Sequence, residues 1–142
     1  LCDRTMVEQV LLNLCRNGMQ AMRDTPMPST TERVLTLRVK PAATETNRWV
    51  SFSVADQGVG ISPAVAEKLF TPFFTTKAEG MGLGLSLCRT VIEQHGGFLG
   101  YEAAQHGGTV FSFTLPTGPM PAPAAHKLPA DSNNATTLEL VT

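Results

Sequence analysis

The stretch that decides the fold lies between residues 54 and 97: VADQGVGIS (54–62), LFTPFFTTKAEG (69–80) and MGLGLSLCRTVIEQHGG (81–97). An alternating apolar run, Trp49 to Val54, leads into one acid, Asp56, with Gly58 and Gly60 just behind it. A second glycine cluster, Gly80, Gly82 and Gly84, opens a segment patterned as a helix from Leu85 to His95. Strand, acid, glycines, loop, glycines, helix is an order that suits a nucleotide pocket, with the base at one end and phosphates at the other.

The flanks supply the rest of a domain. Phe98 to Ala103 is predicted as a strand. After a turn at His106-Gly107-Gly108, Thr109 to Leu115 is another, with Phe111, Phe113 and Leu115 inward. On the other side, Arg33 to Lys40 alternates with Leu35, Leu37 and Val39 on one face, and Pro41 to Asn47 is predicted to turn the chain. The strand Trp49 to Val54 returns with Val50, Phe52 and Val54 inward. Ser62 and Pro63 mark the start of a short helix, Pro63 to Phe70. Gly96-Gly97 stops the helix that ends at His95.

Asp3 to Arg23 is the clearest helix. Val7, Val10, Leu11, Leu14, Gly18, Ala21 and Met22 fall on one apolar stripe, and Asp3 suits an N-cap. Asn13 and Asn17, four residues apart, share the edge of that stripe. Gly18 costs about 1 kcal/mol relative to Ala inside a helix. Close approach of another segment to the backbone would account for it. Thr25 to Thr31 is a linker. Helix, two strands, helices and two strands make an α+β, two-layer sandwich, a mixed, mostly antiparallel sheet with helices packed on one face. Residues 1–116 are expected to form this domain. From Thr117 to Thr142 Pro and Ala dominate and only Leu138 to Val141 shows a weak apolar pattern, so this tail is expected to be disordered.

Composition narrows the function. A chain of 142 residues, 42% hydrophobic and 16% charged, is long enough for one domain with a real core. A net charge of −1 argues against a nucleic-acid or anionic-membrane surface. Cys2, Cys15 and Cys88 are isolated and fit reduced, packing thiols of a cytosolic-type compartment. No apolar run approaches the roughly 20 residues that span a bilayer, and no signal peptide is visible. The start at Leu1 without Met fits an excised piece, so a parent protein could still carry a membrane anchor.

Each candidate residue has two readings. Asp56 at a strand end can accept a hydrogen bond from an exocyclic amino group, which favours adenine over guanine; D-x-G-x-G alone is equally a turn acid before a glycine hairpin. With Asp56 the only acid of the run, a calcium loop is disfavoured. The backbone amides around Gly80-Met81-Gly82-Leu83-Gly84-Leu85 can receive phosphate oxygens at a helix start. That run is neither a Rossmann fingerprint nor a P-loop, and in isolation such a run is more often a flexible turn. Asn13 and Asn17 suit an exposed helix face, or hard oxygen ligands for Mg²⁺ on a triphosphate. Lys77 is a solvated loop lysine or a partner for the terminal phosphate. Phe70, Phe73 and Phe74 are core residues, or the apolar underside of a lid.

Taken together, the pieces resemble the catalytic, ATP-binding (HATPase_c) domain of bacterial sensor histidine kinases, within the GHKL ATPase superfamily. QVLLNLCRNGMQAM (9–22) is similar to its N box, DQGVGI (56–61) to its first glycine box, LFTPFFTTK (69–77) to its F box. GMGLGLSLCRTVIEQHGG (80–97) is similar to the second glycine box, and GGTVFSFTLP (107–116) to the closing strand. The resemblance covers Asp3 to Pro116.

It implies ATP and Mg²⁺ as ligands. Asn17 becomes the metal ligand and Asn13 a neighbouring phosphate-side or metal-side group. Asp56 takes the adenine amino group, with Gly58, Gly60 and Ile61 beside the base and Thr109 closing that end. Phe73 and Lys77 belong to the lid, and Lys77 reaches the phosphates. Gly80, Met81, Gly82, Leu83, Gly84 and Leu85 surround the phosphates, with Gln20 at a position often filled by a phosphate-contacting Lys. Asn13 and Lys77 are the implied catalytic pair. Three departures stand out: Gly18 for the usual Ala, Gln20 for Lys, and Met81 for Thr or Ser. The family's early strands before the N box are also missing or cut, which bears on the edge of the sheet.

The implied activity is transfer of the γ-phosphoryl group to a histidine on a separate helical dimerisation and phosphoacceptor domain of the parent kinase. A response regulator is then served indirectly, in the cytoplasm, with no nucleic acid and no direct membrane contact. None of His95, His106 and His126 stands in the H-E-x-x-x-P setting of the family's phosphoacceptor, so this chain is not expected to phosphorylate itself. Other readings stay open. A GHKL ATPase of the gyrase or chaperone kind would need a base where Asn13 stands. A serine-kinase relative is disfavoured by the F box with Lys77. A nucleotide-sensing module without transfer activity is the remaining one.

Overall fold

The computed structural model describes residues 3–26, 32–43, 48–77, 80–117 and 136–141. In chain order its elements are α1 (Arg4–Arg23), β1 (Val34–Ala43), β2 (Arg48–Ala55), α2 (Pro63–Ala66), α3 (Gly84–Gln94), β3 (Phe98–Ala103), β4 (Thr109–Pro116) and β5 (Thr136–Val141). The five strands form one antiparallel sheet in the order β3-β4-β2-β1-β5.

Strand alternation sorts the sheet into two chemically different faces. Register aligns Leu37 with Val54, Val39 with Phe52, and Phe52 with Phe113. The same face continues as Leu99 opposite Phe113 and Tyr101 opposite Phe111. Across it the rings of Phe52 and Phe113 stack 4.7 Å apart. The opposite face pairs Ser51 with Thr114 and Ser53 with Ser112. The apolar face takes the helices: Val7, Val10, Leu14 and Met22 of α1 and Cys88 and Ile92 of α3 are buried in one core with Leu35, Val54, Leu99 and Phe113. Two amphipathic helices on one apolar sheet face make the sandwich the pattern predicted.

The helix ends follow the predicted signals. Asp3 caps α1 through Oδ1, which accepts from the Met6 amide at 3.3 Å. Gly96, at φ 73°, lets the chain leave α3 while the Gly97 amide donates to the Ile92 carbonyl at 2.9 Å. Ser62 starts α2, its Oγ accepting from the Val65 amide at 3.4 Å.

Three expectations need correction. The helix predicted over 63–70 ends at Ala66. From there the chain tightens into turns in which Lys68 and Leu69 donate to carbonyls three residues back, at 3.1 and 3.3 Å. Pro41 was expected to begin a turn, yet β1 runs through it to Ala43. The neighbouring strand β5 reaches only to Val39, so the missing N–H falls outside the part of β1 paired on both sides. The expected disordered tail contains β5, which pairs with β1 from Val39 opposite Thr136 to Val34 opposite Val141. Backbone pairing on the open edge of β1 holds this strand more than packing does, since Leu138 is 62% exposed. The turn expected at 44–47 and the tail at 118–135 lie outside the described residues.

Candidate functional site

The site is built along one edge of α1. Asn13, Asn17 and Ala21 succeed one another at intervals of four, so they form a row about 12 Å long on the helix surface. Each position meets a different distant segment. At Asn13 the neighbour is Gly84, where an added Cβ would lie 2.7 Å from Asn13 Nδ2. At Asn17 it is Lys77, whose Nζ donates to Asn17 Oδ1 at 2.9 Å. At Gly18, next to Asn17, the neighbours are Leu35, whose Cδ1 lies 2.7 Å from where an added Cβ would be, and Asp56, whose Cβ lies at 3.2 Å. At Ala21 it is Gly58, where a Cβ would come within 2.8 Å of the alanine methyl. The close approach inferred from Gly18 is therefore that of Leu35 and the strand-end acid, and the two glycine clusters converge on a single helix.

The acid end is buried and tightly held. Asp56 is 5% exposed, and its Oδ1 accepts from the amides of Gly58 at 2.8 Å and Thr109 at 3.2 Å. The Asp56 amide in turn donates to the Thr109 carbonyl at 2.9 Å, which ties the end of β2 to the start of β4. Asp56 Oδ2 accepts no hydrogen bond among the described residues, which leaves one carboxylate oxygen for a ligand donor. Burial lifts the Asp56 carboxyl above the ordinary carboxylate value, and the two amides pull it partly back. Gly108, at φ 94°, brings this turn so close that a Cβ there would overlap the Asp56 carbonyl. Gly108, predicted as part of the turn ahead of the closing strand, thus also packs against the acid. Thr109 is buried, Ile61 packs partly buried against the core, and Gly60 turns at φ 78°.

The charge end is looser. Burial pulls the Lys77 ammonium below the ordinary lysine value, while Asp24 pushes it the other way. Gly82 packs where a side chain would strike the Phe73 and Phe74 backbone, and Gly80 sits against Thr75 Oγ1. These glycines let the loop fold closely on itself. Leu83 is the N-cap of α3 but supplies no side-chain cap, and the amides of Gly84 and Leu85 find no acceptor among the described residues. Such an uncapped helix start favours an anion. Gln20 makes no side-chain hydrogen bond among the described residues; its carbonyl accepts from the Asp24 amide. Phe73 and Met81 are not brought to the cleft. They stand in solvent, 77% and 79% exposed, with Phe73 at φ 64°. Phe70 anchors the loop instead, 6.4 Å from the Tyr101 ring and under the Arg89 guanidinium at 5.2 Å.

Beside the Asn13 end, away from Asp56, a cavity of about 270 Å³ opens between α1 and α3. Buried Cys88 lies at its wall, where its Sγ accepts from Asn13 Nδ2 at 3.1 Å. Burial raises the Cys88 thiol, and the Asn13 hydrogen bond lowers it less. His95 joins the two helices. Its Nε2 accepts from the Asp3 amide at 3.0 Å while Nδ1 lies 2.7 Å from the Val91 carbonyl. Those two contacts require the neutral tautomer with the proton on Nδ1, which ties the end of α3 to the start of α1. His126 lies outside the described residues, as does Cys2.

The sandwich thus carries a buried strand-end acid, two glycine turns and a helix edge bearing two amides. The sequence pattern of the family described as "Histidine kinase-, DNA gyrase B-, and HSP90-like ATPase" matches residues 2–119, and the chain belongs to that family. Among curated proteins it is 48% identical over 122 residues to the C4-dicarboxylate transport sensor protein DctS of Rhodobacter capsulatus. It is 42% identical over 116 residues to the sensor protein FixL of Bradyrhizobium diazoefficiens. These matches cover 86% and 82% of this chain but only 18% and 21% of the relatives, so the chain spans about a fifth of their length. Among solved structures, the catalytic domain of histidine kinase ThkA superposes with a TM-score of 0.61 at 37% identity, over 81% of this chain and 68% of that one. The chain is accordingly a catalytic domain of the histidine kinase type. No helix among the described residues is long and apolar enough to cross a membrane.

Proposed function

We propose that this chain, through a unit spanning residues 1–116, binds Mg-ATP and donates its γ-phosphoryl group to a histidine on a separate helical dimerisation domain of the parent kinase, which then serves a response regulator. The observation that carries the reading is the row along α1, where Asn13, Asn17, Gly18 and Ala21 meet Gly84, Lys77, Asp56 and Gly58 in turn. One helix edge thereby links an acid suited to an adenine amino group with cationic and amide groups suited to phosphates.

The residues fit the ligands. Asp56 Oδ2 accepts the exocyclic amino group, and the fixed Oδ1 keeps the carboxylate from turning. Gly58, Gly60, Ile61 and Thr109 line the base. Lys77 and the open amides of Gly84 and Leu85 neutralise phosphate oxygens. Asn17 and Asn13 offer amide oxygens to the metal. Asn17 Oδ1 already faces a cation in the Lys77 ammonium, so the position is one where positive charge is favourable. Magnesium, when bound, offsets the triphosphate charge and helps polarise the γ-phosphate. Phosphoryl transfer depends on positioning and charge neutralisation more than on covalent chemistry, which suits a site without a nucleophile of its own. Asn13 is an amide and not a base, so water is poorly activated and hydrolysis is slow.

The test mixes this chain with the helical histidine domain of its parent and γ-labelled ATP. Acid-labile label on the partner's histidine is expected, with none on this chain. Label on the isolated chain, or none on the partner while ATP is bound, contradicts the reading.

A further inference from the structure

Asn13 has a feature that its place in the row does not explain. Its side-chain amide is clamped by α3 from two sides one helical turn apart. Gly84, the first residue of α3, leaves space that any Cβ would fill, at 2.7 Å from Nδ2 and 3.0 Å from Oδ1. Cys88, four residues on and 4% exposed, accepts Nδ2–H on its sulfur at 3.1 Å. An amide that points its nitrogen at the sulfur must turn its oxygen away from it. Asn13 Oδ1 has no partner among the described residues and is not a sealed, unsatisfied atom. The oxygen, the only atom of the side chain able to ligate a cation, is left available by the contact that occupies the nitrogen.

We propose that Cys88 is a positioning residue: it holds the Asn13 amide with Oδ1 presented to the metal. This rests on the reading that the cleft takes Mg-ATP. It assigns to α3 a second task besides offering its N-terminal amides, and it gives the Gly84 to Cys88 spacing a reason. A glycine makes room for the amide, and one turn later an acceptor sets its orientation. Apolar packing alone would be served better by a valine than by a thiol aimed at an amide nitrogen.

The experiment compares Cys88→Ser and Cys88→Ala with the native chain by calorimetry of ATP with and without Mg²⁺, alongside nitrogen-15 spectra of the Asn13 side-chain amide in the nucleotide-free protein. A serine oxygen accepts from Nδ2–H, whereas an alanine offers no acceptor. With Mg²⁺, the alanine variant is expected to bind ATP about fivefold more weakly, the size of one lost hydrogen bond, and the serine variant within about twofold of native. Without Mg²⁺ all three bind alike. The Asn13 amide signals stay at native positions in the serine variant and move to solvent-averaged positions in the alanine variant. A purely packing role reverses the order, because burying a hydroxyl in place of a thiol is costlier than removing the sulfur. Equal loss in both variants, or amide signals indifferent to the alanine change, overturns the proposal. Where Cys88→Ala does not fold, Cys88→Val, which fills the space without an acceptor, takes its place with the same expected loss. A native chain that binds no Mg-ATP sinks the proposed function instead, and the amide signals then decide the positioning role by themselves.

Discussion

The two ends of the α1 row are built to different standards. At the base end, Asp56 is buried, both of its amide donors are fixed, and Gly108 presses the β4 turn onto its carbonyl. At the charge end, Lys77 hangs on one hydrogen bond to Asn17, α3 starts uncapped, and Phe73 and Met81 stand in solvent. The lesson is one of preorganisation. Recognising a flat base needs a donor and acceptor pattern set before binding. Handling a triphosphate needs groups that change partners when the charge arrives, and a lysine held by one side-chain amide oxygen can do that.

The largest effect should come from breaking the fixed end. Asp56→Ala removes a charged acceptor and strands the buried amides of Gly58 and Thr109. ATP affinity in calorimetry is expected to fall about ten- to a hundredfold, with a lower melting temperature. Unchanged affinity would place the base elsewhere. Asp56→Asn separates recognition from burial. Because the folded carboxyl titrates above its unfolded value, the native chain is favoured when it is protonated and loses that advantage as pH rises through the folded pKa. The amide variant should therefore melt higher than the native chain at pH 7, the gap closing as pH falls below the ordinary carboxylate value. A gap that widens on acidification contradicts the burial account.

Neighbouring glycines sharpen the contrast. Gly107 at φ 91° has open space around it, whereas at Gly108 a Cβ would overlap the Asp56 carbonyl. Gly107→Ala should cost about 1–2 kcal/mol by chemical denaturation from backbone conformation alone. Gly108→Ala should cost clearly more, and equal costs would mean that the turn can back away from Asp56. At the loose end, Lys77→Ala should change folding stability by less than about 1 kcal/mol, since its hydrogen bond to Asn17 is only part-buried and its attraction to Asp24 is screened. It should nevertheless weaken ATP binding about tenfold, as expected for a lost charge-assisted hydrogen bond, and ADP binding less. The smallest change is expected at Gly18→Ala. The gain of about 1 kcal/mol in helix propensity offsets a tight contact with Asp56 Cβ and the movable tip of Leu35, leaving stability nearly unchanged.

How far the sequence told this story differs along the chain. Asp56, its glycines and the paired amides were legible because a strand end, a glycine turn and an i, i+4 helix spacing are local patterns, and their joint order resembles one family. Gly18 announced a close approach without saying of what. The Asn13 contact with Cys88 joins residues 75 positions apart, and His95 bridges 92 positions to Asp3, so neither leaves a local trace. β5 was missed because its evidence is the free edge of β1, a property of the assembled sheet. The exposure of Phe73 was missed for a similar reason: aromatic composition alone cannot tell an anchoring Phe70 from an outward neighbour.

The central claim is that the acid at one end of the α1 row reads an adenine whose phosphates lie at the other end. Titration of the native chain with ATP and with GTP, each with and without Mg²⁺, tests it most directly. The account expects ATP to bind at least about tenfold more tightly than GTP, since guanine offers a carbonyl where Asp56 needs a donor, and expects Mg²⁺ to strengthen the binding of ATP. Equal affinity for the two nucleotides, or an affinity for ATP indifferent to Mg²⁺, would contradict it.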